Sequence, residues 1–256
     1  MNFVDFQQKI QLFSKKIVKP LFFDSITIIF VIISMDRLQI HIIISEELYT
    51  KNPESSDLGK KIVSRSIEMI DELGFEAFTF KKLGQSIGSN ESSIYRYFES
   101  KHMLLVYLIC WYWSWIEYKL VFATTNVPSK EEKLTAAVEI LTRKVDVDNS
   151  FSYINEVILN RIIIAESSKA YHTKDIDSEN EKGYYKVYKR VVKRVSNMVV
   201  EINPDYECPQ MLVSTVIEGA HQQRYFSEHL PSLTNVQEGE DTIVKFYNDL
   251  VFKAIN

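Results

Sequence analysis

The sequence predicts an all-α fold, and three observations carry that expectation. Gly 7 and Pro 6 are few for 256 residues, which disfavours a turn-rich all-β chain. Apolar residues recur at helical spacing over much of the chain, as in Tyr184, Val187, Tyr188, Val191, Val195, Met198 and Ile202. Between the stripes stand residues suited to helix caps and stops, notably Gly74, Thr79, Gly88 and Asn90. With 46% hydrophobic and 25% charged residues, the chain is globular and long enough for one large or two modest domains.

The stretch from Asp57 to Lys101 is the first with a specific use. Its opening segment places Ile62, Ser66, Met69, Ile70 and Leu73 on one face, and Gly74 follows where a left-handed cap stops a helix. Thr79 is positioned to cap a short second helix that buries Leu83 and Ile87, and Gly88 supplies the positive φ of a tight turn. Asn90 caps a third helix. In it Ile94 and Phe98 face inward, leaving Glu91, Ser92, Ser93, Arg96 and Tyr97 outside with Tyr95 nearer the boundary. Two short helices about a glycine turn make a helix-turn-helix, here within a three-helix DNA-binding head.

A net charge of −4 argues against a generally basic coat, so contact with DNA must rest on a local patch. Lys81, Lys82, Arg96 and Lys101 supply one, against Glu91 and Glu99. Lys60 and Lys61 stand where an arm before the first helix would meet the DNA backbone; solvated lysines explain them equally well.

The Gly74-Phe75 pair, Thr79, Leu83, Gly88, the run Ser93 to Phe98, and Lys101 three residues beyond it form a long motif with fixed gaps. It resembles the tetracycline-repressor (TetR/AcrR-like) family of bacterial regulators, over about a fifth of the chain. Three positions depart from the family pattern: Gly84 stands for the usual alanine, Ser89 for a small apolar residue, and Glu91 for a basic or small one. A glycine inside a helix costs roughly 1 kcal/mol relative to alanine. A carboxylate at position 91 repels phosphate yet accepts from a cytosine N4 amino group.

Upstream, Lys15, Lys16 and Lys19 precede the apolar run Ile26 to Ile33. The run is short, is approached through Asp24 and has no small-x-small cleavage site after it, so it fits neither a signal peptide nor a bilayer span. Met35 begins a segment whose length suits the family. The expected division is therefore an uncertain extension or mis-assigned start over residues 1–34, a helix-turn-helix head with its arm over 35–105, and a helical domain over 106–256. The rival for the first segment is a membrane anchor.

The segment His102 to Phe122 is apolar nearly all round. Its length approaches that of a membrane span, but Glu117, Lys119 and the crowd of Trp111, Trp113 and Trp115 favour a helix buried in a helical domain. Further helices are predicted over Ser129 to Val145, Tyr153 to Glu166, Asp177 to Ile202, Pro209 to Phe226 and Glu240 to Ile255.

The remaining candidates are weaker. Lys182, Lys186, Lys189, Arg190, Lys193 and Arg194 alternate with an apolar stripe and read as a solvated face. Glu218 and His221 have the three-residue spacing of half a di-metal site, but no second helix repeats it, so no metal is expected. Cys110 and Cys208 stand far apart in apolar patterns, which points to a reducing cytosol rather than a disulfide. No phosphate-binding glycine loop or nucleophile elbow occurs, so neither an enzyme nor a cofactor is expected. Trp111, Trp113, Trp115 and Tyr118, with Tyr153 from a later helix, suit the lining of an apolar pocket; ordinary core is the competing reading.

The resemblance implies a C-terminal ligand-binding and dimerisation domain, with a homodimer built through residues 209–226 and 240–255. It implies a repressor in the cytoplasm, released from a pseudo-palindromic operator by a small apolar effector, with no membrane involved. Glu91, Ser92, Ser93 and Tyr95 are the candidates for base contact, and Thr79, Lys81, Tyr97 and Lys101 for phosphate contact. Trp111, Trp115, Tyr118, Tyr153 and His221 are the candidates for the effector. A DNA-binding factor controlled by a protein partner and a membrane-tethered regulator remain as alternatives.

Overall fold

Helix starts follow the caps that the sequence offers. Ser56, Thr79, Asn90, Ser100, Ser129, Asn155 and Asp241 each accept, through a side-chain oxygen, a backbone N–H of the turn that follows. This computed structural model describes residues 42, 44–148, 151, 153–236 and 239–256. The expected start at Met35, the Ile26 to Ile33 run and the proposed extension all lie outside the described residues.

Among the described residues there are helices and turns but no strand. In chain order they are α1 (Asp57–Leu73), α2 (Phe80–Ile87), α3 (Glu91–Tyr95), α4 (Lys101–Thr124), α5 (Lys130–Thr142), α6 (Glu156–Glu166), α7 (Ser168–Tyr171), α8 (Ile176–Lys182), α9 (Lys186–Ile202), α10 (Pro209–His229) and α11 (Thr242–Ile255). Helices α1 to α3 form the head; α4 runs from it into a bundle with α5, α6 and α9, and α10 and α11 pack on α5.

The apolar segment around Trp111 is a buried helix. From Leu104 to Trp113 every residue of α4 is buried, because α5, α6 and α9 cover its successive faces. Among the described residues no helix is long and apolar enough to cross a membrane. Ile42–Asn256 is one compact unit, and the head boundary expected near residue 105 falls inside the continuous α4.

Two expectations need correction. The single helix predicted over Asp177 to Ile202 is two, because Gly183 at φ +86° ends α8 and its N–H closes on the carbonyls of Glu179 and Asn180. Leu73, assigned to the inner face of α1, is 43% exposed in the last turn.

Candidate DNA-binding head and the cavity behind it

Each head helix is set by its neighbours. Gly59 lets α1 approach the preceding turn, where a Cβ would lie 2.2 Å from the Pro53 carbonyl oxygen. Gly84 has the same use in α2: a Cβ there would meet the Ser89 carbonyl at 2.9 Å, so the departure from alanine permits a closer turn into α3. Gly88 adopts the left-handed conformation at φ 68°, ψ 34°. Ile94, Tyr97 and Phe98 then pin α3 to the core, all three buried.

On the outer surface of α3, Asn90 Oδ1 accepts from the Ser93 N–H at 2.8 Å, the Ser92 hydroxyl at 2.8 Å and the Ser93 hydroxyl at 2.6 Å. Both hydroxyl protons thus point at the cap, and the oxygens face outward as acceptors. Glu91 beside them is an acceptor too. Tyr95 is 49% exposed, with its ring held edge-on to Phe80 at 5.0 Å between centroids. Thr79 and Lys81 are exposed at the start of α2.

Two residues expected at phosphates have other partners. Tyr97 is 3% exposed and its hydroxyl pairs with Ser56 Oγ at 2.8 Å, because it lies one turn on from Ile94 and so faces inward. Lys101 Nζ donates to the carbonyls of Phe75 at 3.0 Å and Glu76 at 3.2 Å, and sits over the Phe75 ring. Both hold the head together. Arg96, which the sequence reading counted only as part of the basic patch, is exposed and makes no hydrogen bond or ion pair among the described residues.

Behind the head lies a cavity of about 630 Å³ whose wall takes Ile70 and Asp71 from α1, Tyr112 from α4, Asn160 and Arg161 from α6, and His221 and Arg224 from α10. Head and bundle are tied across it. Arg161 donates to both Asp71 oxygens at 2.9 and 2.6 Å, and the Phe75 N–H donates to Glu166 Oε1 at 3.0 Å. Burial pushes the His221 imidazole down to about 4, so it is uncharged near neutrality.

Of the five expected effector residues, His221 alone borders this cavity. Trp111 is fully buried against Phe151, Trp115 donates to Asp148 Oδ2 at 3.0 Å, Tyr118 lies beside Phe122, and the Tyr153 hydroxyl donates to Glu54 Oε1 at 2.6 Å. Those four are core and core edge, and none of them lines the cavity; Tyr153 lies in the turn before α6, which starts at Glu156 and not at Tyr153. Glu218 accepts from the Tyr188 hydroxyl at 2.8 Å, and the described residues contain no group of side chains arranged for a metal. Cys110 is buried and Cys208 exposed, both as free thiols.

Residues 62–108 match the family described as bacterial regulatory proteins, tetR family. The head is a tetR-family head. The DNA-binding function of that family lies in the matched head. The fold of the whole is similar to that of the superantigen PfiT, at 12% identity and a TM-score of 0.53, over 79% of this chain and 97% of that one. Also similar are the ketosteroid transcriptional regulator KstR2 of Mycobacterium tuberculosis (13% identity, TM-score 0.47, 76% and 91% covered) and AibR, solved with isovaleryl coenzyme A and operator DNA (13%, 0.49, 76% and 97%). No curated protein matches the sequence.

Proposed function

We propose that this tetR-family protein is a cytoplasmic, ligand-responsive repressor that binds a pseudo-palindromic operator as a homodimer; the reading is of a regulator and not of an enzyme. The observation that carries it is the cavity shared between head helix α1 and bundle helices α6 and α10. A molecule seated there touches both parts, so it favours whichever packing of α6 on α1 it fits better. It then shifts head position by its differential affinity for the two states.

The last two long helices support the dimer. Met211 is 69%, Phe246 56% and Leu250 37% exposed, apolar side chains on α10 and α11 that a second copy would cover. A twofold axis then presents two α3 helices to successive major grooves. In this reading Glu91, Ser92, Ser93 and Tyr95 meet base edges, Thr79, Lys81 and Arg96 meet phosphates, and Tyr97 and Lys101 support the head.

Fluorescence anisotropy on DNA from upstream of its own gene, against scrambled DNA over a salt series, tests the reading. Selective binding with a steep salt slope is expected. Equal, weak binding to both DNAs by the full chain overturns it.

A further inference from the structure

The wall of the cavity behind the head combines charged groups, most of them paired, with neutral polar groups that are not. Among the described residues Lys144 and Glu228 make no ion pair, and the other charges of the wall have partners. Arg161 holds Asp71, Arg224 holds Asp241 at 2.8 and 2.6 Å while donating to the Thr142 carbonyl, and Glu166 faces Lys169 at 2.7 Å. A charged ligand beside Arg161, Arg224 or Glu166 would have to displace a partner or enter without one, and both are unfavourable.

The neutral polar groups of the wall are under-used. The Tyr112 hydroxyl donates to Asn160 Oδ1 at 3.2 Å, which leaves the amide Nδ2 without a hydrogen-bond partner among the described residues. His221 is 8% exposed, its ring lies beside Trp113 at 6.1 Å and Tyr112 at 6.5 Å, and neither ring nitrogen is hydrogen-bonded among the described residues. A neutral imidazole offers one donor and one acceptor. Ile70, Ile162 and Ala220 complete the wall around them with apolar surface.

We propose that this cavity binds an uncharged, mainly apolar molecule carrying one carbonyl or hydroxyl oxygen, which hydrogen-bonds to Asn160 Nδ2 and His221. The proposal rests on the reading of the cavity as the effector site. A volume of about 630 Å³ suits a small organic molecule of one to three rings. The oxygen completes hydrogen bonds that the protein itself does not make, whereas a hydrocarbon of the same shape leaves them unmade.

Five naphthalenes of one shape separate charge from size: 2-acetylnaphthalene, 2-naphthol, 2-methylnaphthalene, 2-naphthoate and 2-naphthylmethylammonium. Each is titrated into the full chain at neutral pH by calorimetry, with thermal shift alongside. The ketone and the naphthol are expected to bind about tenfold or more tighter than the other three. Asn160→Leu and His221→Phe are expected to reduce the ketone's advantage over 2-methylnaphthalene while the hydrocarbon still binds. Binding of the naphthoate or the ammonium as tight as the ketone, or no binding by either neutral oxygenated probe, overturns the proposal. If the variants fail to fold, the ranking of the five probes on the wild-type chain decides alone. DNA anisotropy on the same samples separates the two readings. Selective DNA binding without probe binding sinks only this inference, and loss of selective DNA binding by the wild-type chain sinks the regulator itself.

Discussion

Arg161 grips both oxygens of the Asp71 carboxylate, at 2.9 Å from Nε and 2.6 Å from Nη2, and so joins α6 of the bundle to α1 of the head. The Arg161 side chain is 47% exposed, and exposed pairs contribute only about 0–1 kcal/mol. Its use is register rather than stability. Arg161→Ala is expected to lower Tm by no more than about 1–4 °C, yet to change operator affinity several-fold and to blunt the effect of a ligand. Asp71→Ala and the double variant should give the same change in operator affinity, not its sum. A large loss of Tm with unchanged DNA binding would make the pair merely structural.

Lys101 and Arg96, both counted in the basic patch, use their charges differently. The Lys101 ammonium is used on the Phe75 and Glu76 carbonyls, whereas Arg96 is exposed and unpaired among the described residues. Arg96→Ala and Lys81→Ala are each expected to weaken binding to all DNA sequences alike and to reduce the salt slope by about 0.9. Lys101→Ala is expected to cost about 1–2 kcal/mol of stability with the slope nearly unchanged. Anisotropy over a salt series and urea melts distinguish the cases. A Lys101→Ala variant of normal stability and shallower slope would return that residue to the phosphate.

The start of α3 presents acceptors to the bases. Glu91 and the outward oxygens of Ser92 and Ser93 suit the amino groups of cytosine and adenine, and fit poorly against guanine O6. Glu91→Gln adds a donor, and it is expected to relax or change preference at one base pair of each half-site by about 1–3 kcal/mol. Selection from randomised operators before and after the substitution reads this out; an identical selected sequence would remove Glu91 from base readout.

Much of the head is legible in the sequence because its determinants are local. Asn90, Thr79 and Gly88 act on the turn beside them, so caps and turn can be read from type and spacing. The inward turn of Tyr97 was legible too, since it follows Ile94 by one turn, but the aromatic run invited the opposite assignment. The cavity was not legible. Asp71, Asn160 and His221 are brought together by packing across most of the chain, and nothing in the spacing of Trp111 and Trp115 told core from pocket. Gly183 did carry its signal, one residue ahead of a stripe regular enough to draw the helix back across it.

That distinction between core and pocket can be measured. Trp111 is fully buried against Phe151, away from the cavity, so Trp111→Ala is expected to cost about 3–5 kcal/mol. Trp111→Phe should cost less and leave any effector response unchanged. Urea melts with ligand titration check both, and a lost response in a stable Trp111→Phe variant would restore that residue to the effector site.

Glu156 gives the fold a pH dependence of definite sign. Its side chain is buried, one oxygen accepts from the Asp148 N–H at 3.2 Å, and the other has no hydrogen-bond partner among the described residues. Burial pushes the carboxyl from 4.5 up to about 7, against the backbone N–H groups of Glu156 and Asp148, which favour the charged form; the Asp148 charge adds to the rise and Lys119 opposes it. The folded state therefore holds this proton more tightly than the unfolded chain. The contribution is fully present below about 4.5 and is lost as pH rises through about 7. His221 acts in the other direction, since its lowered value withdraws stability as pH falls from 6.5 towards about 4. The two overlap, so the wild-type profile alone does not isolate Glu156. The difference between wild type and Glu156→Gln does: the variant is expected to gain Tm relative to wild type as pH rises from 5 to 8. A difference that stays constant across that range would show that the Glu156 carboxyl ionises no differently in the folded and unfolded chain.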